Sequence, residues 1–212
     1  VQSLKTKIGI LISGRGSNML ALADAVSARQ LPSAEIALVV SDQPGAAGVG
    51  LALARGLNAV VIERQGRTRA EHDREIVAAL KGHGVELVCL AGYLRLLSPF
   101  FIESYRDHIL NIHPSLLPSF PGLDAQQQVL VHGVKWTGCT VHFVDETLDG
   151  GPIVAQRPVP VRDDDTEETL AARILQEEHL LYREALSLVL GGEFEIKGRR
   201  VLGPRKVPQP EG

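Results

Sequence analysis

The chain has 212 residues, 44% of them hydrophobic and 22% charged, with a formal net charge of -3. That length suits one well-buried domain of about 100 to 200 residues, so a single domain over 1–212 is expected. Scattered Lys and Arg give no basic field for nucleic acid, no apolar run approaches the roughly 20 residues of a bilayer span, and Cys89 and Cys139 form no CxxC pair. A protein of the reducing cytoplasm, binding neither nucleic acid nor membrane, is expected, and "VQSLKTKIGILISG" reaches glycine too soon for a secretory signal.

"KIGILISG" is an Ile- and Leu-rich run, followed by a glycine turn and by "NMLALADAVSARQ" with helical apolar spacing. The strand-turn-helix pattern repeats in "AEIALVVSD" with "GAAGVGLALARG", and in "NAVVIE" with "RAEHDREIVAALKGHG", before "VELVCLAG". Continuously apolar short strands alternating with helices predict an α/β fold, an open, mostly parallel Rossmann-like sheet with helices on both faces. Up to about residue 110 the chain reads as a phosphate-binding half, and about 111–212 as the second half. That second half holds "HILNIH", a proline-punctuated loop, a helix near "DAQQQVLVHG", strands "TGCTVHFV" and "PIVAQRPVPV", and a long helix from "TEETL". Asp165 is expected to cap the long helix, with Glu168 closing a capping box; a Thr166 cap would put Thr169 third and form no box. The proline-rich end "GPRKVPQPEG" predicts disorder or a surface strand.

Three stretches carry chemistry. In "SGRGSNM", Gly14 and Gly16 allow a tight turn and Ser17 or Asn18 opens the helix, so amides there can face an anion. Met19 stands where the dinucleotide fingerprint needs glycine, which favours a phosphate monoester over a dinucleotide; a plain turn capped by Ser17 reads equally well. In "ILNIHPSLLPSFPG", strand alternation puts Asn111 and His113 on one face and Leu110 and Ile112 on the other, at a strand's carboxyl end where open α/β sheets bind ligands. "VHFVDETLDGGP" supplies a carboxylate to orient the imidazole: Asp149, with Asp145 and Glu146 as rivals, on a turn whose Gly150 and Gly151 permit unusual backbone angles. His142 shares a face with Thr140 and is either a supporting or a structural residue. The seven histidines, His72, His83, His108, His113, His132, His142 and His179, show no zinc spacing, so no metal is expected.

Taken in order, "LISGRGSN", "HDREIVAAL", "LAGYLRLLSP", "ILNIHPSLLPSFPG", "TGCTVHFVDETLDGGPIVAQ" and "QEEH" resemble the glycinamide ribonucleotide formyltransferases, folate-dependent enzymes of purine biosynthesis. The resemblance implies the formyltransferase fold and transfer of a formyl group from the cosubstrate 10-formyltetrahydrofolate to the glycyl amine of glycinamide ribonucleotide. It implies Asn111, His113 and Asp149 as catalytic residues, with His113 an imidazolium whose pKa Asp149 raises. It further implies Gly16, Ser17, Asn18 and Glu178 on the ribonucleotide, and Arg69, Leu94, Arg95, Leu96, Leu97 and Asn111 on the folate side. Asp124 and Gln126 replace common histidines, Ser119 a frequent Lys, and Leu175 an often polar residue. The partners implied are small molecules, in a monomer or homodimer.

The alternatives are a formyltetrahydrofolate hydrolase, expected to need an amino-terminal regulatory domain for which this length leaves no room, and a non-catalytic phosphate-binding sensor module. A methionyl-tRNA formyltransferase is disfavoured, since a carboxyl-terminal nucleic-acid-binding domain and a basic excess are expected of it.

Overall fold

The computed structural model describes residues 5–203, so the proline-rich end lies outside the described residues apart from Gly203. Among the described residues, nine strands form one sheet in the order β3-β2-β1-β4-β5-β6-β7-β9-β8. The first five, β1 (Thr6–Ile12), β2 (Ala34–Ser41), β3 (Ala59–Val61), β4 (Leu87–Leu90) and β5 (Ile109–His113), pair in parallel. β6 (Trp136–Phe143) and β7 (Ile153–Pro160) then join antiparallel, as the hairpin-like connection between them demands.

Both faces are covered, which explains the unbroken apolar strands. Ile10, Cys89 and Leu110 point into one core with Met19 and Leu22 of α1 (Ser17–Ser27) and Leu181 and Tyr182 of α6 (Glu167–Gly191). Leu11, Val88 and Ile109, one residue offset, point into the other with Ile76 and Leu80 of α3 (Arg69–Gly82) and Phe101 of α4 (Pro99–Ser104). Among the described residues, no helix is long and apolar enough to cross a membrane.

Three local expectations need correction. Thr166, not Asp165, caps α6: its side chain accepts from the Thr169 amide while the Thr169 hydroxyl accepts from the Thr166 amide at 2.9 Å. A box does form, because a threonine hydroxyl can stand in for the usual Glu at the third position. Asp165 instead accepts from the Thr169 hydroxyl at 3.0 Å and pairs with Arg173. The second correction is at the end of the sheet, where β8 (Glu195–Lys197) and β9 (Arg200–Leu202) form a short hairpin that the periodicity did not indicate. The third concerns the glycine turn after β6. Neither Gly150 nor Gly151 takes a left-handed φ; Asp149 itself does, at 48°. Gly151 is required by space, since a Cβ there would lie 1.9 Å from the Phe143 carbonyl oxygen.

β1, β2 and β3 progress toward one edge of the sheet, and the chain then returns to place β4 on the other side of β1. The loops after β1 and β4 therefore diverge at a topological switch point, the place where open α/β sheets form a crevice.

Candidate active site

The switch point is built from two glycine-containing turns tied together. After β1, the Ser13 amide donates to the Gly92 carbonyl at 3.0 Å, and the Ser13 hydroxyl accepts from the Leu94 amide at 2.9 Å. Gly16 precedes α1 with φ 74°, and among the described residues no side chain caps the helix. Ser17 is thus the first helical residue rather than its cap, and the first-turn amides keep free donors beside the positive end of the helix dipole. A Cβ on Gly16 would come within 2.8 Å of Gly48 Cα, so the backbones meet too closely for a side chain.

Asn18 reaches across to α6, donating from Nδ2 to Glu178 Oε2 at 2.7 Å. Both residues are buried, and Asn18 Oδ1 has no partner among the described residues. Burial drives the Glu178 carboxyl above its usual range, with the Asn18 bond only partly opposing it. Glu178 and the β1 turn, 160 residues apart, therefore belong to one wall.

β5 neighbours β4 and runs parallel to it, so its carboxyl end opens into the same crevice. Leu110 and Ile112 are buried in the α6-side core, which turns Asn111 and His113 to the other face. There Asn111 pairs in register with His142 of β6, and His113 with Thr140. The Asn111 amide donates to His142 Nε2 at 3.2 Å, consistent with His142 Nδ1–H donating to the Phe143 carbonyl at 2.8 Å.

The 145–150 turn folds back along β5 to bring Asp149 between the two histidines. One carboxylate oxygen lies 3.5 Å from His113 Nδ1 and accepts the Gly122 amide at 2.7 Å; the other lies 3.7 Å from His142 Nε2. The rivals are committed elsewhere. Asp145 accepts from the Thr147 amide at 2.8 Å, and it and Glu146 line a cavity of about 300 Å³ with Ile102, Arg106, Asp107, Val144 and Thr147.

Burial would raise the Asp149 carboxyl, but the neighbouring His142 ring, the Gly122 amide and the His113 ring outweigh it and hold the group below its usual range. His113 differs from expectation. Asp149 and the Phe120 carbonyl, 2.9 Å from His113 Nε2, do favour its cation, yet burial is the larger effect and lowers its pKa below the ordinary 6.5. Burial therefore favours the uncharged ring at neutral pH.

The remaining expected residues lie around this centre. Leu94, Arg95, Leu96 and Leu97 form the loop after β4; Leu94 and Leu96 are 67% and 53% exposed, Leu97 is buried and Arg95 half-buried. Arg69 is exposed at the first position of α3, beyond the carboxyl end of β3. Among the described residues, no hydrogen bond or ion pair joins it to the cluster. Exposed Asp124 precedes α5 (Ala125–His132), which includes Gln126; Ser119 is exposed; and Leu175 lies one helical turn before Glu178. Sequence reasoning left His142 undecided and missed the Phe120 carbonyl and Gly122 amide. The register of β5 against β6 is the signal that would have singled out His142.

A formyl transferase family model matches residues 6–186. The chain belongs to the formyl transferase family. Among curated family members, it is 37% identical over 190 residues to the phosphoribosylglycinamide formyltransferase of Escherichia coli, covering 89% of each. It is 44% identical over 197 residues to the trifunctional purine biosynthetic protein adenosine-3 of Gallus gallus, covering 92% of this chain but only 20% of that protein's length. Among solved formyl transferase structures, glycinamide ribonucleotide transformylase 1 from Symbiobacterium toebii superimposes with a TM-score of 0.92 at 46% identity, covering 94% of both chains. A formyltetrahydrofolate deformylase from Pseudomonas syringae, 24% identical with a TM-score of 0.89, shares the fold.

Proposed function

We propose that this chain transfers a formyl group from 10-formyltetrahydrofolate to the glycyl amine of glycinamide ribonucleotide, a step of purine biosynthesis. The observation that carries the reading is the meeting of Asn111, His113, His142 and Asp149 from three separate segments beside an uncapped helix start. A phosphate-binding sensor has no use for that convergence.

The uncapped first turn at Gly16, Ser17 and Asn18 suits the phosphate, and Glu178 faces the sugar-amide portion. On the donor side, Leu94 to Leu97, Asn111 and the cavity behind the 145–147 segment suit the folate ring, with Arg69 at the outer end. When the amine attacks the formyl carbon, negative charge builds on its oxygen. Asn111 has one amide hydrogen engaged with His142 and a second free to donate to that oxygen. Neutral His113 takes the proton shed by the amine, Asp149 stabilises the imidazolium formed, and the same proton then leaves with the folate nitrogen. Two buried thiols take no part: burial pushes those of Cys89 and Cys139 up to about 12.

Incubation of the chain with both substrates, following tetrahydrofolate release, tests the assignment. Release that depends on the ribonucleotide amine is the expected result. Equal release in its absence would make the chain a hydrolase, and no release would leave it without the proposed activity.

A further inference from the structure

The loop after β4 is anchored by two side chains from elsewhere in the chain, Ser13 of the turn after β1 and Asp73 of α3. Near its start, the Leu94 amide donates to the Ser13 hydroxyl, and Tyr93 is buried. At its end, the Ser98 amide donates to Asp73 Oδ2 of α3 at 2.6 Å, and Leu97 is buried. Between these anchors Leu94 and Leu96 stand exposed, so a short segment is held rigidly while presenting its middle to solvent.

Asp73 is an expensive way to hold a backbone amide. It is fully buried, its second oxygen has no hydrogen-bond partner among the described residues, and that oxygen lies 3.8 Å from His72 Nδ1. A buried carboxylate with one oxygen unsatisfied costs stability that a smaller or apolar side chain would spare. What the charge supplies is a strong and directional acceptor, since a charged acceptor bonds an amide roughly twice as strongly as a neutral one. Ser98 is also the N-cap of α4, its hydroxyl accepting from the Phe101 amide, so Asp73 fixes the loop end and the helix start together.

We propose that Asp73 is a positioning residue for formyl-donor binding, acting through the Ser98 amide to hold the Leu94–Leu97 segment in its binding geometry. This rests on the reading of that segment as the donor side. Asp73 itself touches no reacting atom; its effect falls on donor affinity rather than on the chemical step.

The test uses the full chain with three substitutions, measuring KM for each substrate, kcat, and tetrahydrofolate affinity by calorimetry. Asp73→Ala removes the acceptor, and donor KM and tetrahydrofolate Kd rise about tenfold while ribonucleotide KM stays within about twofold. Asp73→Asn keeps a weaker, neutral acceptor and recovers most of that loss, leaving a rise of about threefold. The Asn variant carries the test alone if Asp73→Ala yields no folded protein. A lower melting temperature with unchanged donor KM, or equal rises in both KM values, would reduce Asp73 to a structural residue and overturn the proposal. Leu96→Glu separates the two ideas. If it weakens the donor while the Asp73 variants do not, only the positioning role fails; if it leaves donor binding untouched, the donor-side reading fails and the proposal with it.

Discussion

The Asp149 carboxylate lies 3.5 Å from His113 Nδ1 and is held there by the Gly122 amide, which donates to the same oxygen at 2.7 Å. The two segments carrying this pair are thus locked by a backbone bond that needs no charge on the histidine. An acid on a residue with φ 48° is an unusual choice, tolerated by Asp better than by most side chains. Replacement by the isosteric amide separates charge from geometry.

Asp149→Asn keeps an oxygen for Gly122 but removes the charge that opposes burial at His113. The His113 pKa, already below 6.5, drops further, because the remaining favourable contact is the Phe120 carbonyl. Ring-nitrogen NMR across pH reads this directly, and an unchanged or higher value would contradict the account. Turnover falls by roughly a hundredfold or more, as expected when charge stabilisation of a proton-transfer group is lost. His113→Ala falls comparably with the fold intact.

Gly14 and Gly16 share one turn but answer differently to a methyl group. A Cβ at Gly14 meets nothing within 4 Å, whereas at Gly16 it meets Gly48 Cα at 2.8 Å on a backbone with φ 74°. Gly16→Ala therefore costs about 1 to 3 kcal/mol of stability and displaces the helix start, while Gly14→Ala stays within about 0.5 kcal/mol. Urea denaturation compares the two. Similar midpoints would show that the close approach of the two backbones is not limiting. Gly16→Val, with a larger side chain at the same close approach, perturbs folding as well as phosphate binding.

The parts of the fold that could be read from residues are those whose pattern is self-contained. β1, β4 and β5 are continuous apolar runs because both their faces are buried, and Asn111 and His113 share a side by simple alternation. α4 escaped notice because "PFFIES" is too short to show a period, and the β8–β9 hairpin because its three-residue strands carry little alternation. Pairings that depend on register or on tertiary distance were invisible: His142 opposite Asn111, Asp73 beneath Ser98, and Asn18 against Glu178. The net direction of the His113 pKa shift was not legible, because a sequence shows the neighbouring carboxylate, which does favour the cation, but not the depth of burial that outweighs it.

Tyr182, fully buried on α6, donates its hydroxyl toward both the Leu90 and Leu110 carbonyls at 3.1 Å, and so links β4 to β5 from beneath the crevice. Tyr182→Phe preserves the packing and removes the polar link. It should destabilise the protein by about 1 to 2 kcal/mol, seen as a lower denaturation midpoint with an unchanged slope. A stability equal to the parent's would mean that these carbonyls are satisfied without it.

Glu178 couples stability to pH in the opposite direction from Asp149. Its folded pKa is raised by burial, so the folded state holds the proton more tightly than the unfolded chain, whose ordinary value is 4.5. The associated stability is complete below that unfolded value and is lost as pH rises through the folded one. At neutral pH the buried carboxylate is a liability, and Glu178→Gln removes it while leaving an amide oxygen for Asn18. Denaturation between about pH 5 and pH 8 should show the variant gaining on the parent as pH rises. The ribonucleotide KM should meanwhile rise about tenfold, since the neutral amide is a weaker acceptor for the sugar-amide portion. A parent that stays as stable as Glu178→Gln across that range would show the carboxyl to be no stability burden, and an unchanged KM would remove Glu178 from the ribonucleotide wall.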